Sequence, residues 1–530
     1  MKKIKIIISA IVLCVMSFSC DDDFAELNTD PTQPLDTNEA FLFAGVLSSM
    51  PFNNNQVLYL DNHNMYQWSQ LSASTGGPEE IINFAQEAVW NQYYSMLRTA
   101  SDLEARLLKE SNQDLNINRK GMLMIVKAYM ALKATDLYGP MPYFEAGLGA
   151  TSEVRPEYTS QADIYASALE DLKWAADNMT TDSDQFSYGS GDVIYNGDIT
   201  QWRKLANSLR LRYALRMSNV DETAAKAIIS EILAPTEPLV MTSASDNLEF
   251  TVADGFGVTL YYGFQYYEGI RMGEVAWGAM TEGDPSITDG SNIIDPRVHI
   301  YFETNEDDEW VAMPQSPADR DLVTNHPYDG PRRGQDDSFS FRGNYSAFNW
   351  YLVNGPANGN AGAQVHIGYP EVCFLIAEAY QRGFATGNAQ EWYEKGIRAS
   401  MDQWYEFGAG GRHLNDLWET APAKPSDAEI DAYIANSKIA YNTTDGLKLI
   451  HTQRWLNSFL NSEEAFHLYR RSGLTPRVEV RDDVSNDLQD PRRITYPADE
   501  VNNNYANYSA NTARLTGGDK VTSRVWWDVN

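Results

Sequence analysis

Apolar residues recur every three or four positions along much of the chain, the spacing of helices that bury one face. Ile164, Ala168, Leu172, Ala175 and Met179 make one such stripe. Trp90, Tyr94 and Leu97 make an earlier one, and Met122, Val126 and Tyr129 another. Ser160 with Asp163, and Ser426 with Glu429, predict capping boxes at two helix starts, the hydroxyl taking an early N–H while the acid reaches back. The second box leads into Ile430, Tyr433 and Ile434. Between 369 and 404, Val372, Ile376, Ala379 and Tyr380 form a stripe, Gly387-Asn388 breaks it, and Trp392, Ile397 and Met401 form the next, which predicts a helix, turn, helix unit. Paired antiparallel helices of this length build tetratricopeptide-type stacks, although no clean repeat of about 34 residues runs along the chain. Trp90, Trp174, Trp202, Trp392, Trp404 and Trp455 lie on these stripes and are read as packing residues.

From about 236 to 368 the texture changes. Gly, Pro, Asn and Asp become frequent, and short alternating stretches such as Leu248 to Val252 predict small strands. The expected fold is therefore mainly α, tetratricopeptide-like stacked helix pairs carrying a large irregular loop and short-strand insertion. Long loops on a helical frame suit a binding face. No low-complexity linker divides the body, so 38–530 is expected to be a single domain.

The first residues differ again. Lys2, Lys3 and Lys5 precede the apolar run Ile6 to Val15, and Ser17-Phe18-Ser19-Cys20 follows, which reads as an export signal over 1–19 rather than a spanning helix. Ser19 directly before Cys20 is similar to a bacterial lipobox, in which the cysteine is acylated and becomes the first mature residue; the usual Leu three positions before it is Ser17 here. An ordinary signal peptide is the alternative. Residues 20–37, rich in Asp, Asn, Thr and Pro, read as a tether. Of the three cysteines only Cys373 lies in the body, so no disulfide forms within it and stability rests on the core.

Composition narrows the partners. Hydrophobic residues at 43% and charged residues at 22% describe a globular body after the signal. The net charge of −32 becomes −35 once the three signal lysines leave, which makes nucleic acid and anionic lipid surfaces poor partners. The acidity serves solubility or, alternatively, cation binding. Thirty Tyr and 13 Trp are more suggestive, because such rings stack on sugars or peptide side chains while their polar tips stay wet.

A wider set of motifs resembles the SusD/RagB family of surface nutrient-binding lipoproteins, in its SusD-like branch. The motifs are Leu27-Asn28-Thr29-Asp30-Pro31; Ala134 to Ala146, with Asp136-Leu137-Tyr138-Gly139-Pro140 closing a helix; Asp295-Pro296-Arg297; Tyr369-Pro370-Glu371-Val372 through Ala379 with Arg382-Gly383; and Glu463 to Pro476 with Arg470-Arg471-Ser472-Gly473. Physically most of these are scaffold. Proline stops a helix at Pro140 and Pro142, and Gly383 suits a left-handed cap. The resemblance implies a protein on the outer face of the outer membrane, anchored there through lipid on Cys20. It would cap a SusC-like TonB-dependent barrel and hand it oligosaccharides or peptides. Asp21-Asp22-Asp23 is similar to the acidic surface-export signal of such lipoproteins; a solvated acidic tail is the other reading.

Catalytic signatures are missing. The seven histidines never fall three or four apart, which removes the helical zinc pair of HExxH. GxSxG, a phosphate loop and a complete dinucleotide fingerprint are absent too. Among 73 acids, proximity of two carboxylates is expected by chance and identifies no glycosidase pair. No cofactor is expected; a structural calcium site of irregular oxygen ligands would escape a motif search. The binding candidates are rings where helical periodicity fails: Tyr66 and Trp68; Tyr261, Tyr262, Tyr266 and Tyr267; and Trp310, Tyr345, Trp350 and Tyr351, with Arg271 and Arg297 as weaker polar candidates. For each, the competing role is packing the insertion on the helices. The expected function is glycan capture and delivery, with peptide binding as the alternative and a surface glycoside hydrolase as the rival.

Overall fold

Helix α1 (Glu39–Leu47) begins where Asn38 accepts the Phe41 N–H, at the start of the described part of the chain. The computed structural model describes residues 38–74, 81–147, 155–234, 239–251, 270–305, 307–319, 345–349, 363–410, 422–481 and 490–530. The signal, the tether and Cys20 lie outside them.

A ten-residue π-helix, Gln56–Met65, follows α1, and the single helical turn Tyr66–Trp68 continues it. Then come α2 (Asn83–Leu107), α3 (Ile117–Tyr138), α4 (Gln161–Asn178), α5 (Ile199–Met217) and α6 (Glu222–Leu233). Each packs on its successor, as in the helix stack expected from the stripes. After α7 (Glu274–Met280) the chain returns to long helices at α8 (Tyr369–Gln381) and α9 (Ala389–Gly410), the expected helix, turn, helix unit. Helices α10 (Asp427–Ala435), α11 (Gly446–Asn457), α12 (Ser462–Ser472), α13 (Ala498–Asn503) and α14 (Tyr505–Thr512) complete the frame.

The two cap predictions part company. Ser426 and Glu429 form the full reciprocal box on α10. Ser160 caps α4, but the Asp163 carboxylate accepts from the Ser160 hydroxyl at 2.6 Å, where a box would have it accept the backbone N–H. Aspartate is one methylene shorter than the glutamate that normally closes the box.

Strands are short. Antiparallel β1 (Ser72–Ala73), β5 (Arg271–Met272), β7 (Ala347–Phe348) and β6 (Phe302–Glu303) lie side by side in that order. In that sheet Ser72 faces Met272, Arg271 faces Ala347 and Phe302 faces Phe348. Two further pairs join β2 (Met141–Pro142) to β3 (Tyr158–Thr159), and β4 (Leu248–Thr251) to β8 (Ala363–Ile367). Leu248 to Thr251 is thus a strand, as its alternation predicted.

Helices from both ends of the sequence share one interior. The Trp455 indole N–H donates to the Ser69 carbonyl at 2.8 Å, and the Ile494 N–H to that of Leu137 at 2.9 Å. Trp90, Trp202, Trp404 and Trp455 are buried as expected, whereas Trp174 and Trp392 are only half-buried. Cys373 is a buried free thiol, and burial pushes it up to about 12, so it packs without reacting.

The scaffold motifs converge on a buried ionic network. Arg216 pairs with both Asp136 and Glu464; Arg212 and Arg454 reach Glu371 at 2.5 and 2.7 Å; Arg471 grips Glu378 at 2.6 and 2.7 Å. Asp136 also accepts the Tyr165 hydroxyl at 2.5 Å and the Trp527 indole N–H at 2.7 Å. Burial opposes ionisation of Glu464, but Arg212, Arg216 and Arg454 bring it down to about 2. Arg471 and His451 likewise overcome burial and hold Glu378 well below the carboxylate range. Asp295 and Arg297 form a second buried pair, extended by Ser400 and Gln453, so Arg297 holds a loop to α9 and α11. Asp136, Glu371, Glu378, Arg470, Arg471 and the Asp295-Arg297 turn are therefore scaffold.

The glycine ending α12 offers a clean test of backbone strain. Gly473 is left-handed (φ 63°), its N–H caps the Tyr469 carbonyl at 2.8 Å, and nothing lies within 4 Å of where a Cβ would sit. Gly473→Ala should cost about 1–2 kcal/mol from conformation alone, read as a lower urea midpoint at unchanged slope. An unchanged midpoint would contradict it.

Candidate ligand-binding surface

The irregular region builds one aromatic shelf from turn residues. Asp284 and Asp289 accept the N–H groups of Ser286 and Ser291 at 2.9 Å each, setting two tight turns. Those bonds also hold both carboxyls below their usual range. Gly290, at φ 79°, lies against Trp310: a Cβ there would sit 3.2 Å from the indole nitrogen. The Trp310 N–H donates to the Thr288 carbonyl at 3.1 Å, and the Trp277 indole donates to the Pro285 carbonyl at 2.6 Å. Trp310 thereby stacks on buried Trp277, ring centres 5.8 Å apart and planes 12° from parallel. His299 meets Trp310 edge-on at 5.7 Å, and burial lowers its pKa, which keeps the imidazole neutral at pH 7.

Trp310 remains half-buried, and Asp307, Asp308 and Glu309 just before it are exposed. A half-open indole backed by a second indole can cover the C–H face of a sugar, and exposed carboxylates in the preceding residues can accept sugar hydroxyls.

The other candidates fall differently. Tyr66 is 2% exposed and sits edge-on to Phe348 at 5.6 Å; Trp68 is 2% exposed and packs on Phe466. Arg271 is fully buried in β5, where its guanidinium donates to the Ile270 carbonyl at 2.9 Å. Tyr345 is buried against Ala73 and Met313. These four belong to the interior and offer no open face, because the sheet and the following helices close over them. Tyr261, Tyr262, Tyr266, Tyr267, Trp350 and Tyr351 lie outside the described residues.

A second ring surface was missed. Tyr59 stacks on Phe84 with centres 5.1 Å apart, His63 lies 5.8 Å from Tyr59, and Phe84 is 51% exposed. The available signal was Phe84 itself, an aromatic off the buried stripe of α2, which runs through Ala85, Ala88, Val89, Gln92, Tyr93 and Met96.

Burial raises several carboxyls among the described residues, Asp136, Asp171 and Asp528 among them, and Asp61 and Glu463 reach the neutral range typical of catalytic sites. Burial, then the Glu463 charge, lifts Asp61 to about 8; burial lifts Glu463 to about 7. Both lie in the interior, where Lys133 sits 3.7 Å from Glu463 and the Ser462 hydroxyl donates to Asp61 at 3.2 Å. Their surroundings describe a structural cluster rather than a cleft. Among the described residues, no three His, Cys, Asp or Glu side chains are placed to hold a metal, and no helix is long and apolar enough to cross a membrane.

Residues 31–497 match the SusD-like family model, described as starch-binding and associating with the outer membrane. The chain belongs to the SusD-like family. Solved structures agree over almost the full length. A chitin-binding protein superposes with TM-score 0.70 at 25% identity, covering 93% of this chain and 100% of its own. A SusD homolog from Parabacteroides distasonis superposes with TM-score 0.71 at 22% identity, covering 93% and 98%. A chitin-binding SusD homolog from Flavobacterium johnsoniae gives TM-score 0.64 at 22% identity, covering 93% and 99%. No curated protein sequence matches. The SusD-like helical frame is thus common to all three, and in this chain the buried network of Asp136, Glu371, Glu378, Glu464 and Arg471 lies inside it.

Proposed function

We propose that this SusD-like protein captures oligosaccharides on the outer face of the outer membrane and passes them to a SusC-like TonB-dependent barrel without breaking a bond. One observation carries the reading: a SusD-like match over residues 31–497 together with superposition, at 25% identity, on a protein named for binding chitin. Trp310 supports it with a half-open indole stacked on Trp277 and preceded in the chain by exposed carboxylates. Export and acylation at Cys20, with residues 20–37 as tether and 38–530 as the ligand-binding domain, complete the proposal.

Affinity electrophoresis and calorimetry against chito-oligosaccharides, starch fragments, other glycans and peptides test it. Retarded migration with intact ligand chains is expected for a glycan. Binding confined to peptides would replace glycan by peptide, and released products would make the protein a hydrolase. Trp310→Ala should weaken the best glycan about tenfold, since one stacked ring contributes on the order of 1 kcal/mol or slightly more. Unchanged retardation would remove Trp310 from the site. Cys20→Ser should abolish palmitate labelling and release the protein from the membrane fraction.

A further inference from the structure

Where α2, α3 and α4 meet, the helices leave a cavity of about 150 Å³. Its walls are Leu107, Ile117, Leu123, Met124 and the face of Trp174, and Leu108, 68% exposed, extends the apolar lining outward. The polar groups around it are already engaged. Gln113 donates to the Leu107 and Glu110 carbonyls at 2.7 Å each, Asn116 donates to the Glu110 carboxylate at 2.6 Å, and Glu104 pairs with Lys127 at 2.6 Å. Water inside would find few partners, and a void of roughly this size with apolar walls accepts a benzene-sized ring.

Lys120 is held more loosely. Its ammonium lies 4.5 Å from the centre of the Trp174 ring and feels the Asp171 carboxylate, which Lys127 also serves, without a direct hydrogen bond to it among the described residues. We propose that this cavity is a binding site for a single aromatic ring carrying an anionic group, the ring filling the space against Trp174 and the anion meeting Lys120. A small aromatic acid fits this description. The walls come entirely from the helical frame and share no residue with the Trp310 shelf, so the site stands apart from glycan capture.

Phenylacetate and the neutral benzyl alcohol are the probes, titrated calorimetrically into the full-length mature protein. Phenylacetate should bind with a Kd on the order of 1 mM, as expected for about ten heavy atoms. Lys120→Gln, an exposed change, should weaken phenylacetate about threefold and leave benzyl alcohol within error. Met124→Trp should fill the space and abolish both. Should that variant fail to fold by circular dichroism, Trp174→Ala, which removes a half-exposed wall, should weaken both. Failure of either probe to bind at about 20 mM would overturn the site. Equal binding by Lys120→Gln would overturn its anionic character, and binding retained in the filled or opened variants would place the probe elsewhere. Glycan retardation, measured in parallel, is expected to stay constant in every variant.

Discussion

Glutamine in place of Glu464 is expected to lower the unfolding free energy by about 3–5 kcal/mol, the cost of stripping one partner from a buried charge cluster. Glu464 faces three guanidinium groups: Arg216 contacts it directly, Arg454 at 3.4 Å and Arg212 at 3.5 Å. All four side chains are nearly inaccessible, so water cannot replace the lost charge. Glutamine keeps the shape and removes the anion, leaving three cations to share Asp136 and Glu371. Arg216→Met should cost a similar amount, because it strips Asp136 of its guanidinium partner and Glu464 of the nearest of its three. The double variant should lose clearly less than the sum, since each single change already removes the same contact. Urea denaturation of the four proteins measures all of this. A Glu464→Gln loss below about 1 kcal/mol would mean the cluster contributes little to stability. The acid limb follows with the same sign: a carboxylate held at about 2 stabilises the fold above its ordinary pKa, and that stability is lost as pH falls toward 2.

Helices were legible because burial imposes a period on the chain, and a period survives without knowledge of partners. The stripe from Ile164 to Met179 lies on α4, with Met179 as its C-cap residue, and the break at Gly387-Asn388 separates α8 from α9. The π-helix was not legible. Its wider turn buries Gln56, Asp61, Asn62 and Asn64 together, and polar residues at such positions read locally as loop. That misreading also made Tyr66 and Trp68 look like loop rings, although they form the helical turn that closes the π-helix. The network was legible as scaffold but not as a network. Asp136 and Arg216 stand 80 positions apart and Arg216 and Glu464 248 apart, separations that leave no trace in local pattern.

The rings proposed for ligand follow a different logic. Trp310 stood out as a ring outside the helices because turn chemistry around Asp284, Asp289 and Gly290 announces an irregular segment, and an aromatic inside one has no helical face to occupy. Phe84 could be found only by noticing that it falls off its own helix's stripe. Trp174 sat on a stripe and was read as packing, yet the helices around it do not fill the space beside its ring. Periodicity shows which way a side chain points, while filling depends on three helices at once.

Asp61→Asn should remove most of the protein's loss of stability between pH 6.5 and 8. Asp61 is buried beside Glu463, with Lys133 and the Ser462 hydroxyl as its relief, and its folded pKa is about 8 against an ordinary 3.8. A raised carboxyl pKa means the folded state holds the proton more tightly than the unfolded chain. The stabilisation is complete below about pH 4, declines as pH rises and is spent once pH passes about 8. Glu463, at about 7, acts in the same direction over a narrower window. His366, His451 and His467 act oppositely: burial lowers all three, so their contribution is lost as pH falls through 6.5. Asparagine keeps the Ser462 hydrogen bond without the charge. The variant's stability should therefore gain on that of the wild type by on the order of 3 kcal/mol between pH 5 and pH 8. Scanning calorimetry from pH 5 to 9 reads this as two melting curves that diverge on the alkaline side, and parallel curves there would show that Asp61 ionises in the folded protein as easily as in the unfolded chain.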